Sequence, residues 1–239
     1  MIGGFIVSGE TAKKVVLRAL GPSLADAGVE GVMADPTLEL YNSTGELIEQ
    51  NDNWTAPLPE YVVASGLQPT KPTESLIAAT LSPGSYTAVL RGVGGSSGVA
   101  LFELYDLDPT SSRIANISTR GEVGTGDEAM IGGFILGGSE PSTVMVRAIG
   151  PSLAASGVSG TLRDPVLELR GSDGSLLFEN DNWRSTQEQE IIDSTIPPSD
   201  DLESAIIVTL PPGTYTALVR GAGNSTGVAL VEVYNLQSD

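Results

Sequence analysis

Apolar and polar residues alternate with a period of two over short stretches, and Gly, Pro, Asn or Ser bounds each stretch. In Tyr86-Thr87-Ala88-Val89-Leu90-Arg91 one face carries Tyr86, Ala88 and Leu90. Further on, Ala100, Phe102 and Leu104 oppose Leu101, Glu103 and Tyr105. This period puts alternate side chains on opposite faces of a half-buried strand. Read this way, the first half predicts strands at 3–8, 13–20, 36–42, 45–50, 74–81, 84–93 and 98–107. Asn42-Ser43-Thr44-Gly45, Gly171-Ser172-Asp173-Gly174, Ser82-Pro83-Gly84 and Gly94-Gly95-Ser96-Ser97-Gly98 supply the turns between neighbouring runs. Helix is expected only as short turns at 22–27, 59–64, 151–156 and 187–193.

The pattern occurs twice. Residues 1–110 align without a gap on residues 130–239 at an offset of 129, with 53 of 110 positions identical. MIGGFI returns at Met130, RALGPSLA at Arg18 returns as RAIGPSLA at Arg147, and DPTLEL at Asp35 returns as DPVLEL at Asp164. NDNW begins at Asn51 and again at Asn180. A repeat of this kind makes each copy a structural unit. The fold expected is all-β: two tandem antiparallel β-sandwich domains, jelly-roll-like, at 1–108 and 130–239. A connector at 109–129 is expected to supply a strand, because Ile114, Ile117 and their neighbours have strong β propensity. That connector has no copy before Met1, which leaves the first domain short of an opening strand. An unpaired edge is a template for another chain. The expectation is a piece of a longer array, or a domain completed by a neighbour's strand; the alternative is that residues 111–120 pack back on the first domain, or that its edge is capped.

Composition narrows the chemistry. Twelve basic against 30 acidic side chains give a net charge of −18. It divides as −8 on the first copy (5 − 13), −9 on the second (5 − 14) and −1 on the connector (2 − 3). Lysine occurs only at Lys13, Lys14 and Lys71, so no basic patch is available for phosphates and nucleic acid is not an expected partner. There is no histidine and no cysteine, which removes the usual general base, thiolate chemistry and the commonest zinc ligands. No apolar run approaches the roughly 18 residues of a membrane span. MIGGFIVSGE does not read as a secretory signal, so the sequence is read as intracellular or as a mature or trimmed piece. Its Gly, Pro, Ser and Thr content favours the second.

The ordered series GGFI, RALGPSLA, DPTLELY, NDNW, PGSYTA, RG and GVALFELYDL resembles a repeat found in large secreted bacterial proteins of unknown function. Its middle and end are also similar, more loosely, to the pre-peptidase C-terminal β-sandwich domains of secreted proteases. Both resemblances imply an extracellular, non-catalytic module and assign no ligand.

Three sets of residues are candidates for chemistry. Asn51, Asp52 and Asn53, with Asn180, Asp181 and Asn182, offer closely spaced oxygen ligands of the kind calcium takes. The alternative is that Asn and Asp cap a turn while Trp54 plugs the end of the sandwich. The repeated charges Arg18/Arg147, Asp35/Asp164, Glu39/Glu168, Glu74/Glu203, Arg91/Arg220 and Glu103/Glu232 read as structural ion pairs rather than as the paired acids of a glycosidase. Ser23 lacks a histidine to activate it and reads as part of a turn. With 12 aromatic residues in 239, carbohydrate recognition is a lesser alternative. The function expected is a non-enzymatic, secreted or cell-surface structural or adhesive module. It contacts copies of itself or neighbouring repeats and assembles by strand complementation. The alternative is a calcium-stabilised or carbohydrate-binding accessory domain.

Overall fold

The computed structural model describes residues 1–107, 113–126 and 128–236; residue 108 of the expected first domain and residues 109–112 and 127 of the expected connector lie outside them. The chain divides into two compact units, Met1–Ala115 and Asn116–Asp239. It is all-β with antiparallel sheets.

In the first unit, β1 (Ile2–Ser8), β6 (Gly84–Gly92), β3 (Pro36–Asn42) and β4 (Leu47–Asn51) form one sheet in that order. β5 (Ser75–Leu81), β2 (Lys13–Leu20) and β7 (Leu101–Asp106) form the other. Two short helices, α1 (Pro22–Asp26) and α2 (Glu60–Ser65), interrupt the strands. In the second unit, β12 (Leu176–Asn180), β11 (Pro165–Arg170), β14 (Gly213–Gly221) and β9 (Met130–Leu136) make one sheet. The other follows the order β13 (Ser204–Leu210), β10 (Ser142–Ile149), β15 (Gly227–Asn235), β8 (Arg113–Val123). Here α3 (Glu188–Asp193) is the helix.

Local chemistry sets these elements. Leu38 and Leu40 on β3 are fully buried while the residues between them are half-exposed, the alternation that holds a strand's register. The β3–β4 turn is closed by Asn42, whose Oδ1 accepts from Thr44 N at 3.0 Å and Glu46 N at 2.9 Å. Gly45 takes the left-handed conformation there, at φ 80°. Asp173 plays the part of Asn42 in the second unit, and its bonds from Ser175 hold its carboxyl below the usual range.

The core of the second unit draws on both sheets. Val144, Val146, Ala148, Ile206, Val231 and Val233 come from one, and Phe134, Leu167, Leu169, Tyr215, Ala217 and Val219 from the other. Two sheets sharing one apolar layer make a β-sandwich-like fold. The sheets approach closely at Gly132, where an added Cβ would lie 2.9 Å from Val231 Cγ1.

The sheet containing β10 is also covered on its outer face. Met145, Ala205 and Ile207 pack there with Ile191 of α3 and with Trp183. In the first unit Val16 and Leu76 pack with Val62 of α2, Trp54 and Tyr105. The tryptophans therefore do not plug the end of the sandwich, as the sequence suggested. They seal a second apolar layer outside it, with indole N–H groups donated to Lys71 O at 2.9 Å and Asp200 O at 3.1 Å.

Candidate functional site

The repeated charges have three different fates. Arg18 lies on the outer face of β2, where Nε donates to Glu103 Oε2 at 2.7 Å and Nη1 to Leu67 O at 2.9 Å. Its guanidinium also stacks 5.2 Å from the centre of the Tyr105 ring. Arg147 repeats this with Glu232, Ile196 O and Tyr234. Two donors converging on one carboxylate oxygen, with the third nitrogen on a carbonyl, suit the planar guanidinium in a half-dry layer. Burial and then the charge of Glu232 push the Tyr234 hydroxyl up to about 12. Glu39 and Glu168 also have arginine neighbours, at 3.8 Å from Arg91 and 3.7 Å from Arg220.

Glu74 and Glu203 correct the ion-pair expectation. Both are fully buried, and each binds backbone N–H groups rather than a cation. Glu74 Oε1 accepts from Gly21 N at 3.2 Å and Ser23 N at 2.8 Å, and Glu203 Oε1 accepts from Gly150 N at 3.1 Å and Ser152 N at 3.0 Å. The Gly-Pro-Ser-Leu turn is thus tied to the strand-entry loop through a carboxylate. Ser23, considered as a nucleophile, is a structural donor in that tie.

Asp35 and Asp164 correct it differently. In each, Oδ1 is buried without a hydrogen-bond partner, and no ion pair forms at either among the described residues. Burial, and after it the charge of Asp181, raises the Asp164 carboxyl above its ordinary value.

The NDNW segments follow β4 and β12. Asn51 Oδ1 accepts from Leu76 N and Asn180 Oδ1 from Ala205 N, both at 3.0 Å. Their amide nitrogens turn towards Asn53 O at 3.4 Å and Asn182 O at 3.2 Å. Ser75 Oγ lies 2.9 Å from Asn51 O and 3.0 Å from Asp52 O, and Ser204 Oγ lies 2.9 Å from Asn180 O. The side-chain oxygens of Asn51 and Asn180 are thus engaged in stitching the loop to the neighbouring strand. Asp52 and Asp181 stay exposed, with Asn53 and Asn182 beside them. Asn51, Asp52 and Asn53 line an open groove with Thr37, Leu38, Glu39 and Gln50. Among the described residues no three acidic groups converge as a metal cluster would require. Sequence reasoning missed Asp164 as the neighbour of Asp181; the two are 17 positions apart, and only the pairing of β11 with β12 brings them together.

Among the described residues Phe178 is the one exposed aromatic ring, at 44%. The others are buried or half-buried, so they form no open stacking platform.

The edge of the three-stranded sheet is the remaining feature. In the second unit β8 runs antiparallel along β15, with Val123 opposite Gly227 and Asn116 opposite Tyr234. Val123 is fully buried. In the first unit β7 pairs with β2, and among the described residues no strand lies along its other edge. The sequences of these edges are close: GVALFELYD from Gly98 and GVALVEVYN from Gly227. Their structures differ. β15 begins at Gly227, whereas β7 begins only at Leu101. Val231 and Val233 are buried, while Phe102 and Leu104 are half-exposed.

No family model matches this chain, and no curated protein matches it. By fold, 96% of the chain aligns with 68% of a protein of Eubacterium rectale provisionally named as secreted, at 10% identity and a TM-score of 0.24. A chain in the atomic structure of Sulfolobus Turreted Icosahedral Virus aligns over 97% of this chain and 85% of its own length, at 9% identity and a TM-score of 0.28. Both likenesses are remote. Among the described residues no helix is long and apolar enough to cross a membrane.

Proposed function

We propose that this chain is a non-enzymatic structural or adhesive module of the cell exterior, made of two jelly-roll-like sandwich domains related by the 129-residue repeat. It works through protein–protein contacts with copies of itself or with neighbouring repeats, completing its sheets with strands from them. The edge of β7, along which no strand lies among the described residues, whereas the matching edge of β15 pairs with β8, is the observation that carries this reading. Open edges add strands readily, since backbone N–H and C=O groups supply the affinity. The repeated polar residues support it further. Arg18, Glu74, Glu103 and Asn51 are each bound to partners inside their own unit.

Sedimentation velocity and negative-stain electron microscopy across a concentration series test the reading. Concentration-dependent association into oligomers or filaments is the expected result. A strict monomer at every concentration, without filaments, overturns it.

Calcium stabilisation is a second reading, favoured by the unpartnered Oδ1 atoms of Asp35 and Asp164. Asp164 with Asp181 would hold the ion in the second unit, because a cation there removes the repulsion between the two carboxylates. A calcium-dependent rise in melting temperature, lost in Asp164→Asn, supports this reading. Identical melting with calcium and with chelator rejects it.

A further inference from the structure

We infer that the β7 edge accepts one specific kind of partner: an antiparallel strand with the pattern of residues 116–123, docked in the register that β8 uses on β15. The inference rests on the strand-complementation reading and names its occupant. The second unit supplies the template. There Ile117, Thr119, Gly121 and Val123 share one face of β8, opposite Val233, Val231, Ala229 and Gly227. Val123 is buried among the core residues, and Ile117 packs against them. The occupant is therefore apolar at both ends of its inward face and small in the middle.

Moving that register onto the first unit by the offset of 129 sets the occupant's valine opposite Gly98 and its isoleucine opposite Leu104. Its small residues then fall opposite Ala100 and Phe102. Phe102 is bulkier than Val231 at the matching position, and its ring lies where a Cβ on Gly3 would fall, 2.5 Å from Cε1. A small opposite residue suits this crowding. Residues 98–100 lie outside β7, although their counterparts 227–229 are strand where β8 pairs with them. The docked strand extends β7 back to Gly98. Charge does not oppose it: residues 116–123 carry one arginine and one glutamate, a net of 1 − 1 = 0, against −8 on residues 1–110.

The test uses the intact chain and a synthetic peptide of residues 113–123, RIANISTRGEV. Backbone amide NMR during titration is expected to show saturable one-to-one binding. Shifts and slowed exchange should be confined to residues 98–105 and their neighbours on β2. A peptide with Val123→Asp is expected to bind about tenfold or more weakly, since it places a charge where the template buries a side chain. No binding at millimolar peptide overturns the inference, as does exchange of the peptide onto β15, or equal binding of the Asp peptide. The two readings fail separately. Association of the chain without peptide binding at β7 removes this occupant but keeps the assembly reading. Peptide binding by a strict monomer does the reverse.

Discussion

Glu203 holds Ser152 by two contacts to one carboxylate oxygen: the serine backbone N–H at 3.0 Å and its hydroxyl at 2.5 Å. The residues are 51 apart in sequence, and Glu203 is fully buried. A buried carboxylate with only N–H and O–H donors as neighbours depends on all of them. Glu203→Gln places an amide where backbone N–H groups need acceptors, and is expected to cost about 2–3 kcal/mol in urea unfolding. Ser152→Ala removes the hydroxyl alone and is expected to cost about 1 kcal/mol.

Arg147 and Glu232 form a coupled pair with Tyr234 against the same outer face. Arg147→Lys keeps the charge but loses the planar fork and is expected to destabilise the second unit. A double-mutant cycle with Glu232→Gln should give a coupling of about 1–3 kcal/mol by chemical denaturation, since the residues share one network.

Gly132 faces Val231 across the sandwich, with 2.9 Å available to a Cβ. Gly132→Ala is expected to cost about 1–3 kcal/mol through overpacking. Adding Val231→Ala should relieve part of that cost, so the double variant melts higher than the sum of the single effects predicts.

Tyr234 gives an alkaline signature. Its hydroxyl is raised from the ordinary tyrosine value of 10.0 to about 12 in the fold, so the native state favours the neutral form more than the unfolded chain does. The resulting stability is fully present below pH 10 and is lost as pH rises towards 12. Melting followed across this window should show the loss, and Tyr234→Phe should flatten it.

Much of the scaffold was legible in the sequence. β2 and β3 were read at 13–20 and 36–42 and occur as Lys13–Leu20 and Pro36–Asn42, because period-two burial and turn residues are local signals. The half-buried arginine at Arg18 was legible too, since it alternates with Val16 and Leu20 on one strand. The role of Glu74 was not, for its donors lie on a turn 51 residues away and a buried capping carboxylate has no local pattern. Trp54 packs in the outer apolar layer rather than at the end of the sandwich, because a single ring has no period to show where it packs. The run at 98–107 was read as one strand, yet β7 begins at Leu101. Val99 forms a parallel bridge with Val32, as Val228 of β15 does with Thr161. For the candidate cation site, the sequence found Asp181 and its asparagines but could not show that Asn180 bonds elsewhere, or that Asp164 comes near.

Residue-resolved amide hydrogen exchange, comparing residues 101–105 with 230–234, tests the central claim most directly. An edge strand leaves alternate N–H groups facing outward, whereas the same groups on β15 donate towards β8. Alternate amides of β7 should exchange far faster than their β15 counterparts, and slow when the β8-pattern peptide is added. Equal protection of the two strands in the isolated chain would contradict the account.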